Sequence, residues 1–188
     1  AGVRRIDAFL AQPERDIPAP RGGAVPRGDV VLSHVTFGYN ERTVLSDLSF
    51  TVRQGEQVTL IGRTGAGKST VFRLLRAVEP QQQGTLTIGG VDVSAITDEE
   101  RRRCIGCVEQ HFARVPGTVL DQITLGDARI SREMAEKAAQ LAGLDEVIRA
   151  LPGGYDRPCA DGLFSQGEWQ LLSIARAAAA DPAVLLLD

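Results

Sequence analysis

Residues 62–70 read Gly62-Arg63-Thr64-Gly65-Ala66-Gly67-Lys68-Ser69-Thr70, and no other stretch restricts the fold as tightly. They satisfy the pattern G-x-x-x-x-G-K-[ST]. Upstream, Val58-Thr59-Leu60-Ile61 is a β-branched apolar run that predicts a buried strand; downstream, Val71, Phe72, Leu74, Leu75 and Val78 follow helical spacing. Strand, glycine-rich turn and helix N-terminus together make a phosphate cradle. Glycines let backbone N–H groups converge on anionic oxygens, and the helix macrodipole adds partial positive charge. Lys68 is placed to reach β- and γ-phosphates, Ser69 to ligate Mg²⁺ and Thr70 to support an α-phosphate contact. A turn that merely joins strand to helix leaves the lysine and the hydroxyl unexplained.

The rest of the composition makes that lysine conspicuous. Lysine occurs only at positions 68 and 137, so arginine supplies nearly all the positive charge. The 188-residue chain has the length of one domain, with 43% hydrophobic and 24% charged residues, as in ordinary globular proteins. Its formal net charge of −3 leaves no global basic field to hold nucleic acid. Three cysteines make no disulfide framework and fit a reducing compartment. Cys104 and Cys107 form a C-x-x-C, but the segment Cys104–Val108 reads as a strand whose positions three apart face opposite ways. We therefore read them as small core residues. Cys159 receives no role.

In chain order, Val3, Ile6, Phe9 and Leu10 sit at helical spacing, and residues 12–28 carry the prolines and glycines of a linker. Val30 begins a strand that runs through Phe37 to Gly38-Tyr39. Leu48, Phe50 and Val52 predict a second strand, and Leu86 and Ile88 a third before the turn Gly89-Gly90. Thr97 and Glu100 form a capping box that opens a short helix. Between about 112 and 165 the pattern becomes helical: Ser131 caps a helix with Met134, Ala138 and Leu141 on one face, and a shorter one carries Val147 and Ile148. A second helix N-terminus follows Ser165-Gln166-Gly167-Glu168, where Ser165 is an N-cap candidate. Val184–Leu187 predicts a buried strand whose final carboxylate, Asp188, is suited to hold Mg²⁺ through water. The chain opens on Ala1 and closes on that strand, so we expect a piece of a longer protein.

The ordered set resembles the nucleotide-binding domain of ABC transporters, of the exporter type, over roughly residues 29–188. Gly62–Thr70 is similar to Walker A, Phe37-Gly38-Tyr39 to the A-loop and Gln110 to the Q-loop glutamine. Pro116-Gly117-Thr118-Val119 with Gln122-Ile123 is similar to the exporter segment G-T-V-x-x-N-I. Ser165–Glu168 matches the signature motif, and Val184–Asp188 matches Walker B. The resemblance implies an α/β fold: a P-loop NTPase core with a mostly parallel sheet, an antiparallel β subdomain and a helical insertion. Residues 1–28 then become the linker and helix that follow a transmembrane domain.

It further implies ATP and Mg²⁺ as ligands, with Tyr39 stacking on adenine. Lys68 and Gln110 would act on the γ-phosphate side, and Ser69, Gln110 and Asp188 on the metal. Partners would be the transmembrane domain of the same transporter and a second nucleotide-binding domain, with no nucleic acid, at the cytoplasmic face of the membrane. Ser165, Gln166, Gly167 and Glu168 would contact the partner domain's nucleotide. The signature departs from the usual L-S-G-G-Q at Phe164, Gln166 and Glu168, Gln122 stands where asparagine is frequent, and Asp161 stands near the usual acidic position before the signature. Two alternatives stay open: a non-hydrolysing half of a heterodimeric exporter, motivated by Glu168, and a soluble relative acting on nucleic acid.

Overall fold

In the computed structural model, residues 25–40, 42–108 and 113–187 are described. The N-terminal helix expected at Val3–Leu10 lies outside them, as do Gln110, His111 and Asp188. Strands β1 (Val30–Tyr39), β2 (Arg42–Val52), β3 (Gln83–Ile88) and β4 (Val91–Asp92) form an antiparallel sheet in the order β2-β1-β3-β4. Helix α1 (Lys68–Leu75) emerges from the glycine-rich loop, and α2 (Asp98–Cys104) leads into β5 (Ile105–Val108). Helices α3 (Val119–Thr124), α4 (Arg132–Leu141), α5 (Asp145–Ala150) and α6 (Gln166–Ala178) follow, and the last strand is β6 (Val184–Leu187). β5 and β6 pair in parallel, Ile105 opposite Val184 and Val108 opposite Leu187.

Two apolar cores organise these elements. In the first, Leu32, Val35, Leu86 and Ile88 of the sheet pack on Leu74 of α1 and Ile96, all of them buried. In the second, Ile123, Ala135, Leu144, Ile148 and Leu172 draw together the helices from α3 to α6. The helix ends obey their sequence signals. Thr97 and Glu100 make the reciprocal capping box at α2, and Ser131 Oγ accepts the Met134 N–H at α4. Thr118 and Asp121 form a further capping box at α3.

Helix α6 joins the cores. Gly106 of β5 lies so close to it that a Cβ there would stand 2.4 Å from the Ala177 carbonyl oxygen, so only glycine fits. On the helical side, the Arg176 Nε donates to the Gln122 carbonyl at 2.6 Å and its NH1 to the Ala113 carbonyl at 2.8 Å. The fully buried Gln122 side chain completes the clasp: its Oε1 accepts the Val115 N–H at 3.0 Å and its Nε2 donates to the Val115 carbonyl at 2.5 Å. Burial pulls the Arg176 pKa down to about 10, still a cation at neutral pH.

Three expectations need correction. Val184–Leu187 forms the expected strand but is not a buried one: only Leu186 is buried, and Leu185 and Leu187 are 41% and 55% exposed. Val58–Ile61 is not a buried strand: no ladder bonds are made there, Val58 is 47% exposed and Ile61 93% exposed. A β-branched run becomes a strand only when a neighbouring chain satisfies its N–H and C=O groups, and no described residue pairs with it. Cys104 belongs to the end of α2 rather than to β5; it is buried, with its Sγ donating to the Pro26 carbonyl at 3.3 Å. His34 is exposed, and its ring pairs with Asp47 at 2.6 Å.

The clasp yields a stability prediction. Gln122→Ala strands the Val115 amide and carbonyl and opens a small cavity, so it should cost about 2–4 kcal/mol. Denaturant unfolding measures this, and a loss below about 0.5 kcal/mol, the usual size for an exposed site, would contradict the clasp.

Candidate functional site

Residues 62–66 are solvent-exposed, as a binding loop must be, Gly67 is buried at the start of α1, and the loop's shape comes from its own bonds. The Ala66 N–H donates to the Arg63 carbonyl at 3.0 Å, and Gly67 N-caps α1 at φ 92°. A side chain at Gly67 would be strained by that φ and would also meet Leu45 Cδ2 at 2.6 Å. No side chain caps α1 and no acidic residue lies in its first turn. The helix therefore presents unsatisfied N–H donors and the positive end of its dipole without a counter-charge.

Lys68 adds a full positive charge at this place. Its Nζ donates to the Gly62 carbonyl at 2.8 Å and the Arg63 carbonyl at 3.1 Å, bonds internal to the loop. An incoming phosphate oxygen offers a charge-assisted bond, roughly twice as strong as a bond between neutral groups, so the ammonium is free to exchange carbonyls for an anion. Ser69 is exposed and Thr70 buried at 7%, which sets their hydroxyls in different surroundings.

Tyr39 completes the cavity. It ends β1 and is 38% exposed, with its ring edge-on to Phe37 at 4.9 Å between centroids. The Arg73 guanidinium lies 5.9 Å from the Tyr39 ring centroid, on the α1 side. Tyr39, Thr64, Gly65, Gly67, Lys68, Ser69 and Thr70 all line one cavity of about 910 Å³. An aromatic wall at one end and a cationic helix terminus at the other suit a ligand with a flat base and a polyphosphate tail.

Sequence reading missed the wall between them. Asn40, Arg42, Thr43 and Val44 also line the cavity. β2 begins at Arg42, directly opposite Tyr39, rather than near Leu48. The β-favouring run Thr43-Val44-Leu45 just after Asn40 is the signal that marks this hairpin.

The residues 165–168 are not part of this cavity. Ser165 N-caps α6, and Ser165, Gln166 and Gly167 are exposed. Ser165 Oγ accepts the Glu168 N–H at 3.3 Å, and Glu168 Oε2 accepts the Ser165 N–H at 2.7 Å. The Ser165 amide, then its hydroxyl, hold the Glu168 carboxyl below the usual glutamate range. Gly167 lies inside the helix, yet a Cβ there would meet nothing within 4 Å. Glycine at such a position costs up to about 1 kcal/mol against alanine, and no neighbour within the described fold explains it. Beside this helix end, Arg114 pairs with the exposed Asp161 and lies 4.6 Å from the Trp169 ring centroid.

A glycine-rich loop, an unguarded helix N-terminus with lysine, and an aromatic base platform define a P-loop nucleotide-binding domain. The family model described as ABC transporter matches residues 45–188. The chain belongs to the ABC transporter family. It is 39% identical over 188 residues to "Mycobactin import ATP-binding/permease protein IrtA" of Mycolicibacterium smegmatis, covering 99% of this chain and 22% of that protein. It is 33% identical over 181 residues to "ATP-dependent lipid A-core flippase" of Legionella pneumophila, covering 92% of this chain and 31% of that one. Among solved structures it superposes on "Structure of a bacterial Atm1-family ABC exporter with ATP bound" with a TM-score of 0.80 and 32% identity, covering 99% of this chain and 34% of that chain. The chain thus spans about a fifth to a third of these proteins. No helix among the described residues is long and apolar enough to cross a membrane.

The site makes separable demands on its ligand. Lys68→Ala should weaken ATP binding at least about tenfold while leaving adenosine binding unchanged. Tyr39→Ala should weaken ATP and adenosine alike, by about tenfold, with Tyr39→Trp restoring both. Calorimetric titration reads these ratios; equal losses for ATP and adenosine in Lys68→Ala would refute the assignment of the phosphate end.

Proposed function

We propose that this chain is the ATP-binding and hydrolysing domain of an exporter-type transporter, and that it works in pairs. The observation that carries this reading is the single cavity joining Tyr39 to the Lys68 end of α1. Adenine stacks on Tyr39, the triphosphate follows the loop, and Lys68 draws the β- and γ-oxygens. The Ser69 hydroxyl, Gln110 and Asp188 are the residues that would hold Mg²⁺. That donor set is all oxygen, as a hard cation requires, and Ser69 stands in the cavity wall. Bound there, the metal supplies neutralisation of charge on the phosphate oxygens.

The chemistry is in-line attack of water on the γ-phosphorus, where positioning and electrostatic stabilisation are the protein's whole contribution. Lys68 and the α1 N-terminus stabilise charge that moves onto the bridging and terminal oxygens. We assign Gln110, which the family resemblance matches to the Q-loop glutamine, to orienting the attacking water.

Ser165 and Gly167 lie outside the cavity lining, and exposed Gly167 has no internal neighbour to justify it. We assign them to the nucleotide held by a second ATP-binding domain arranged head to tail. ATP then closes the pair, hydrolysis and release reopen it, and attached membrane domains follow at the cytoplasmic face. Relatives named as ATP-binding/permease proteins support the attached membrane domains. One observation favours a second reading, a nucleotide-binding half that does not hydrolyse: Glu168 puts a carboxylate at the signature.

Phosphate release from the full-length protein in lipid decides between them. Hydrolysing function predicts Mg²⁺-dependent turnover that Lys68→Ala lowers by about 100-fold or more. Tight ATP binding without turnover would establish the second reading instead.

A further inference from the structure

The N-terminus of α6 is occupied from within. In the reciprocal capping box, Glu168 Oε2 takes the Ser165 N–H at 2.7 Å while Ser165 Oγ takes the Glu168 N–H at 3.3 Å. The Ser165 hydroxyl, the group assigned to a partner's γ-phosphate, keeps its own proton to donate while it accepts that N–H; the donor withheld from a phosphate is the Ser165 amide, which the Glu168 carboxylate holds. A carboxylate also lies over the positive end of the helix dipole, the place an incoming anion would take. The opposite arrangement holds at α1, whose first turn carries no acidic residue and whose N-cap makes no side-chain bond. Of the two helix ends assigned to phosphate, that of α1 is open and that of α6 is closed by its own anion.

Two neighbours bear on this charge. Arg114 is committed to Asp161 and to the face of Trp169. The Glu168 carboxylate bonds to the Ser165 amide. Gly167, between the two capping partners, leaves open space above the helix end. Space for a ligand is present, and the electrostatic penalty for filling it is Glu168.

From this geometry we propose that Glu168 is an internal competitor for the partner's γ-phosphate, setting how much nucleotide is needed to close the paired domains. The inference rests on the reading that Ser165 and Gly167 meet a nucleotide in trans. Closure requires the Glu168 side chain to swing off the Ser165 amide toward solvent, while the Ser165 hydroxyl donates to the phosphate and still accepts the Glu168 N–H. The Ser165, Gln166 and Gly167 amides then face the anion together. The one capping bond lost, itself charge-assisted, is replaced by charge-assisted bonds to phosphate, so the exchange is close to balanced and sensitive to a single charge. The ligand class is a terminal phosphate held by the opposite domain, and Glu168 acts as a threshold rather than as a contact.

Glu168→Gln isolates the charge, because glutamine keeps the amide-to-side-chain bond of the capping box while removing the anion. The experiment uses the full-length protein in lipid, titrated with a non-hydrolysable ATP analogue and Mg²⁺, with closure read from the distance between spin labels on the two domains. Glu168→Gln should lower the half-closing concentration about fivefold at low salt, and the gain should shrink as salt screens the site. Ser165→Ala should raise that concentration. If Glu168→Gln closes no more readily than wild type while Ser165→Ala is impaired, the competitor role is overturned and the trans reading stands. If Ser165→Ala closes normally, the trans reading fails and the inference fails with it. A Glu168→Gln gain that ignores salt would also overturn the proposal, since it would reflect helix stability rather than charge.

Discussion

Backbone N–H groups left unpaired at the start of α1 are the constraint on which the site depends. A helix cannot satisfy its first donors from within, and here neither a capping side chain nor an acidic residue does so. Gly67, held at φ 92° against Leu45, bends the loop so that these donors face the cavity. Lys68 joins them, with its charge parked on the Gly62 and Arg63 carbonyls. The first core supports this arrangement from below: the buried Leu74 and Leu75 fix the helix on the antiparallel sheet that also ends in Tyr39. One packed unit therefore sets both the base platform and the phosphate cradle.

The second core serves a different purpose. It carries α6, whose N-terminus stands apart from the cavity and whose length reaches back to β5 through the glycine contact at Gly106. The Arg176–Gln122 clasp ties the residues after position 112 to this helical unit. Anything that moves α6 thereby moves the chain just beyond Gln110, while β5 just before it packs with the first core. The two helix ends suited to phosphate belong to different cores and differ in electrostatic state, one open and one self-capped.

Much of this was legible in the sequence because local rules act locally. The capping residues Thr97, Ser131 and Ser165 are where their patterns put them, and the turn Gly89-Gly90 closes the β3–β4 hairpin. Tyr39 lines one cavity with Thr64, Gly65 and Gly67–Thr70, far apart in the chain, because β1 and α1 share a core, a contact that only the family resemblance foretold; Gly62, Arg63 and Ala66, expected with them, are not in that lining. Val58–Ile61 failed because strand formation depends on a partner, and β-branched composition says nothing of whether one is present. The early start of β2 was missed because its first residues are exposed and lack alternation. Gln122 looked like an asparagine substitute and proved to be a buried clasp, a role set by contacts with Val115 that no spacing rule encodes.

The central claim is that each nucleotide lies between Lys68 of one domain and the α6 N-terminus of another. It is tested by placing two defects, Lys68→Ala and Ser165→Ala, either in one domain of the paired assembly or split between the two. Sites are counted by nucleotide trapped per assembly. If the halves meet in trans, splitting the defects leaves one intact site, whereas joining them in one domain damages both. The opposite pattern, one site kept when the defects are joined and none when they are split, would show that each domain completes its own site and would contradict the account.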